Sequence, residues 1–113
     1  MAYSESDAQR MRAALKGARG ITERKMFGGI CFLLHGNMLC GIGKPGFMFR
    51  VGKEQHAAAL KRPGASAVAF NGRRFAGLVW VRPDECTGSA MRSWLALAHK
   101  FVAPLPAKRK SKR

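Results

Sequence analysis

Residues 25–46 read KMFGGICFLLHGNMLCGIGKPG, and the way this stretch turns decides how the rest of the chain packs. Phe32-Leu33-Leu34-His35 and Met38-Leu39-Cys40 are apolar runs of strand length. Between them stand Gly36 and Asn37, residues that tolerate the positive φ of a tight hairpin turn. Partners across a hairpin keep a constant sum of positions, so this turn sets His35 against Met38, Leu33 against Cys40 and Cys31 against Ile42. One face then carries Cys31, Leu33, His35, Met38, Cys40 and Ile42, and the other Phe32, Leu34, Leu39, Gly41 and Gly43. Phe32 opposite Gly41 leaves room for a closely packed helix, so the second face is expected under the helices. The first face is also apolar, and the expectation is cover by a partner subunit or a terminal segment.

Upstream, residues 21–27 (ITERKMF) alternate as a short strand or extended lead-in, and Gly28-Gly29 turns the chain sharply into the hairpin. A phosphate-cradling loop would need these glycines to open a helix, and a strand follows instead. Residues 47–51 alternate as a third strand, completing an antiparallel meander. Residues 4–17 read as a first helix, with Ser6 and Gln9 as a capping box and Ala8, Met11, Leu15 and Ala18 as its apolar stripe. Arg10, Arg12, Lys16 and Arg19 are placed on its solvated side. Residues 52–61 form a short second helix, 67–70 and 75–81 a fourth and fifth strand joined by the turn at 71–74, and 89–102 the last helix. Met91, Trp94, Leu95, Ala98, Phe101 and Val102 step by three and four along that helix, which makes Trp94 a packing anchor. The chain is α+β.

With 113 residues the chain is one domain, large enough to bury a core without staples. Cys31, Cys40 and Cys86 are odd in number and lack disulfide or zinc-ribbon spacing, so they read as buried residues of a reducing compartment. The polar start MAYSESDAQR and the lack of a long apolar run point to a cytoplasmic protein outside the membrane. Domain bounds of 1–103 follow, with residues 104–113 as a disordered basic tail. Charge is the compositional outlier: 21 Lys and Arg against 6 acids, a formal +15. Five of those cations lie in residues 108–113, which leaves 15 − 5 = +10 for the globular part. Such a balance suits polyanions, most simply nucleic acid.

The candidate phosphate contacts are Lys108, Arg109, Lys110, Lys112 and Arg113 in the tail, with Arg73 and Arg74 at a loop tip and Arg24 and Lys25 extending the track. No helix-turn-helix, zinc-finger or RNP-type pattern is present, so binding would be independent of sequence. In the expected register Cys31, His35 and Cys40 share a face, but Leu33, Met38 and Ile42 between them read as core rather than as a metal site. His56 and His99 are the other histidines. Asp84-Glu85, the one close acidic pair, is placed to favour the start of the last helix. No nucleophile stands beside a base, and neither metal nor cofactor is called for.

ITERKMFGGICFLLHGNMLCGIG, followed by FMFRVGKE and later by FNGRRFAGLVWVRP, closely resembles the TfoX/Sxy N-terminal domain family over about residues 6–102. Met26, Phe27, Gly28 and Gly29 are the most specific part of the match, with Gly36 in the hairpin turn and Trp94 in the final helix beside them. The resemblance implies a two-layer fold with a five-stranded antiparallel sheet in the order α-β-β-β-α-β-β-α, of the secretion-chaperone-like type. It further implies a homodimer and a non-enzymatic role. The family takes its name from bacterial regulators of natural competence, which look like co-activators working with the cyclic-AMP receptor protein and carry a second, C-terminal domain. Residues 104–113 do not resemble that domain, so the expectation is a regulatory module with a protein partner in transcription, and non-specific nucleic-acid binding as the alternative.

If the tail is the nucleic-acid tether, ending the chain at Ala107 flattens the slope of log affinity against log salt by up to roughly 4 units, for five engaged charges. Fluorescence anisotropy with random-sequence DNA and RNA measures that slope. An unchanged slope moves the contacts to the globular surface.

Overall fold

The computed structural model describes residues 3–26, 28–70 and 72–107, the side chain of Phe70 excepted. In chain order these form α1 (Glu5–Leu15), β1 (Ile21–Met26), β2 (Gly29–Leu34), β3 (Asn37–Gly43), β4 (Gly46–Arg50), α2 (Lys53–Leu60), β5 (Ala65–Phe70), β6 (Arg73–Val81) and α3 (Gly88–Val102). A short 3-10 turn at Pro83–Glu85 precedes α3. The sheet is antiparallel with strand order β1-β2-β3-β4-β6-β5. It has six strands rather than the five expected. The extra strand is the lead-in at 21–26, which pairs along its whole length with β2, from Ile21 opposite Leu34 to Met26 opposite Gly29.

The central hairpin also differs from its expected register. Leu34 pairs with Asn37 and Leu33 with Met38, so the turn residues are His35 and Gly36 rather than Gly36 and Asn37. Both have positive φ, 51° and 84°, as a two-residue hairpin turn requires. The reason lies outside the hairpin. His35 N–H donates to the Gly20 carbonyl at 2.9 Å, and its imidazole occupies the space beside Gly20, where a Cβ would stand 2.5 Å from the ring. A bulge between Phe32 and Leu33 then takes up the extra residue on β3, so Phe32 pairs with Cys40 and Cys31 with Gly41.

This register sorts the side chains. Ile30, Phe32 and Leu34 of β2, Leu39, Cys40 and Ile42 of β3, Phe47 and Phe49 of β4, and Val79 and Val81 of β6 join the helix-covered core. Cys40 and Ile42, expected on the opposite face from Phe32, therefore share its core, while Gly41 goes to the face of Cys31. α3 lies over β3 and β4, α2 over β5 and β6, and α1 beside α3 and β3. Ala8, Met11, Ala59, Met91, Trp94, Ala98 and Val102 are the helices' buried contribution. Trp94 is 2 % exposed, stacked on Phe49 with centroids 5.4 Å apart and with the Arg62 guanidinium 4.7 Å from its ring. That is the anchor its spacing predicts.

Two local expectations are corrected. The N-cap of α1 is Ser4, whose hydroxyl accepts from Asp7 N–H at 3.3 Å, and not Ser6. Arg10 is a clamp rather than a solvated cation: it donates to the carbonyls of Cys86 and Pro83, pairs with Asp7 at 3.0 Å, and stacks 5.1 Å over Phe47. It ties the first helix to the segment leading into the last one.

Between β4 and α2 the backbone makes a close crossing. Val51 and Gly52 N–H both donate to the Gly77 carbonyl, at 2.7 and 3.3 Å, and Phe101 packs directly on Gly52. Gly52 has φ 88°, and a Cβ there would stand 2.5 Å from the Phe101 ring. Gly52→Ala is expected to cost about 1–3 kcal/mol, from backbone strain and overpacking together. Gly17→Ala, where φ is 91° but nothing lies within 4 Å, should cost clearly less. Urea midpoints at unchanged m-value compare the two, and equal losses would show that Phe101 yields without cost.

Candidate functional site: an apolar groove on the open face of the sheet

The sheet face turned away from the helices carries no covering element among the described residues. Its side chains follow from alternation. Cys31 of β2, Met38 of β3, Met48 of β4, and Leu78 and Trp80 of β6 point there, opposite to the core residues between them. Together with Met26 and Gly29 they line a groove of about 310 Å³, to which Lys44, Pro45, Ala69 and Phe75 also contribute.

Glycine hollows out this groove. Gly41 and Gly43 place no side chain on the face, and Trp80 lies so close over Gly43 that a Cβ there would stand 3.1 Å from the indole. On the adjoining strand a Cβ on Gly29 would collide with the Ile42 carbonyl. At Gly29, Gly41 and Gly43 the floor between β2 and β3 is therefore backbone rather than side chain. The sheet curves enough that Met26, at the end of edge strand β1, and Phe75, near the other edge, border one cavity.

Charge around the groove is one-signed. Lys44 lines it, and Arg24 stands on the same face as its cross-strand partner Cys31. None of the six acids borders it. Five of them are held elsewhere in ion pairs: Glu5 and Glu23 on Arg12, Asp7 on Arg10, and Asp84 and Glu85 on Arg82. The acidic pair at 84–85 thus answers Arg82 within the 3-10 turn, instead of opening α3 as expected.

The sequence-derived candidates divide over this geometry. Of the family-motif residues, Met26 and Gly29 line the groove, Gly28 turns the chain between β1 and β2 with φ 75°, Gly36 forms the next hairpin turn, and Trp94 lies in the core on the opposite side of the sheet. Phe27 is outside the described residues. Arg24 and Lys25 are exposed on edge strand β1 but on opposite faces, since Lys25 pairs with Ile30. Arg73 and Arg74 are the first residues of β6, toward the other edge of the sheet, and exposed. The four therefore do not form a continuous track along one edge. Lys108, Arg109, Lys110, Lys112 and Arg113 are outside the described residues. What sequence reasoning missed is the role of Met48, Leu78 and Trp80, whose alternation with Phe47, Phe49, Val79 and Val81 was the available signal.

The bulge also separates the thiols. Cys40 is wholly buried in the core and Cys31 is on the groove face, so Cys31, His35 and Cys40 do not converge. Among the described residues no group of three or more His, Cys, Asp and Glu is placed to hold a metal. Burial raises the thiol pKa at all three sites. At Cys86 it is pushed from an ordinary 9.0 to about 11, against the opposing pull of the Arg10 guanidinium. Burial raises Cys40, with Cys31 and Cys86 adding to the effect, and it raises Cys31 against the pull of Arg24. Thiols kept protonated are poor nucleophiles.

An open-faced antiparallel α+β domain with an apolar, cation-rimmed groove is the class of molecule this geometry defines. The model of the TfoX N-terminal domain matches residues 13–102, most of the chain. The chain belongs to the TfoX N-terminal domain family. No curated protein and no solved structure matches it.

Because the folded thiols bind their protons more tightly than unfolded ones, the unfolded state holds fewer protons above pH 9 and stability falls as pH rises from 9.0 to about 11. Below 9.0 both states are protonated and these groups add no slope. Denaturant melts of Cys40→Ala/Cys86→Ala should show a shallower decline across that window than the parent. Identical declines would assign the loss to other groups.

Proposed function

We propose that this chain is a small, non-enzymatic regulatory module that holds a protein partner, in transcription or competence regulation. The groove carries this reading. It offers shape and apolar surface without convergent polar groups, which suits recognition rather than bond-making. Family membership supports the regulatory part of the reading. The described thiols, buried with raised pKa, and the arginine-paired acids add no catalytic pair to it. No helix among the described residues is long and apolar enough to cross a membrane.

Transcript profiling of a strain deleted for this chain tests the reading. A defined set of transcripts should shift and return when the full chain is restored, and an unchanged profile overturns the regulatory role. The formal charge of +15 favours a second reading, non-specific nucleic-acid binding through the tail with Arg24, Lys25, Arg73 and Arg74. That reading requires equal affinity for scrambled and genomic sequences.

A further inference from the structure

We infer that the groove docks an acidic protein segment in which carboxylates flank one or two bulky apolar side chains. This rests on the reading of the chain as a protein-binding module and names the partner's chemistry.

Size comes first. A cavity of about 310 Å³ stands at the bottom of the roughly 300–1,000 Å³ range of small-molecule sites, enough for an anchor side chain and little more. The lining selects what kind of anchor. Met26, Met38 and Met48 supply three of the chain's six methionines, flexible thioethers that repack around branched or aromatic groups, and Trp80 supplies a rigid flat wall. The rim selects the charge. Lys44 in the lining and Arg24 on the same face as its partner Cys31, with no acid bordering the groove, favour carboxylates flanking the anchor.

The same charges argue against a second copy of this chain on this face. A two-fold contact brings identical surfaces together, and here that would set cations against cations. They argue equally against the chain's own residues 108–113, which carry five cations and no acid.

The test titrates the full chain with three short peptides: glutamate alternating with leucine, lysine alternating with leucine, and glutamate alternating with alanine. Calorimetry gives affinity, and Trp80 emission reports the site, because Trp94 is buried on the far side of the sheet. The glutamate-leucine peptide should bind, weaken with added salt, and shift the emission. The other two should not. Met48→Glu should weaken binding about tenfold or more, and exposed Lys44→Glu, which leaves the fold untouched, by about threefold to tenfold at low salt.

Absence of glutamate-leucine binding at about 1 mM overturns the inference. So does equal binding of the lysine peptide, indifference to Lys44→Glu, decanoate binding in place of the peptide, or a dimer in sedimentation that buries Trp80. If transcripts respond to deletion but the peptide ignores both variants, the inference alone fails. If the peptide binds in the groove and the transcripts do not respond, the regulatory reading fails and the groove stands.

Discussion

The contact between His35 and Gly20 governs the molecule. By accepting the His35 N–H, the Gly20 carbonyl places the hairpin turn one residue earlier than Gly36 and Asn37 would, and the bare α-carbon of Gly20 leaves space for the imidazole. Moving the turn back by one residue shifts the pairing by two residues and leaves each side chain on its face. The bulge beside Phe32 shifts it by one more, and that single-residue shift exchanges the faces of β3 from Cys40 onward. Phe32, Cys40 and Ile42 then face the helices together, and Cys31 is sent to the other side.

Two faces with opposite characters result. On one, Phe47, Phe49, Val79 and Val81 meet Trp94 and Met91, and Arg10 holds the first helix against the turn that leads into the last. Deleting an aromatic from such a core costs about 3–5 kcal/mol, so the stacked pair of Phe49 and Trp94 is one of its larger single contributions. On the other face glycine replaces side chains at Gly41 and Gly43, and the floor is left hollow. Apolar residues of nearly the same type stand on both sides, yet among the described residues helices fill only one of them.

The small acidic complement is spent on the helix side and at the chain's turns. Arg12 takes both Glu5 and Glu23, and Arg82 takes both Asp84 and Glu85. These exposed pairs contribute little stability each. Their consequence is spatial: they leave the groove face with cations only. A net charge that reads in composition as a general affinity for polyanions thus has a local meaning beside an apolar cleft.

Residue order alone carried the α+β class, the three helices, the meander, and Trp94 as a core anchor, because each is a matter of local periodicity and turn chemistry. It carried the family as well, through Met26-Phe27-Gly28-Gly29 and its neighbours. Tertiary structure alone decided the position of the hairpin turn, since Gly36-Asn37 and His35-Gly36 are both acceptable turns and a carbonyl fifteen residues upstream in sequence chose between them. It alone promoted the lead-in at Ile21–Met26 to a sixth strand, because pairing depends on what β2 presents and not on the lead-in's own propensity. It alone assembled the groove, since Met26, Met48 and Trp80 lie on three different strands, and sheet curvature, which no local pattern encodes, is what brings them around one cavity.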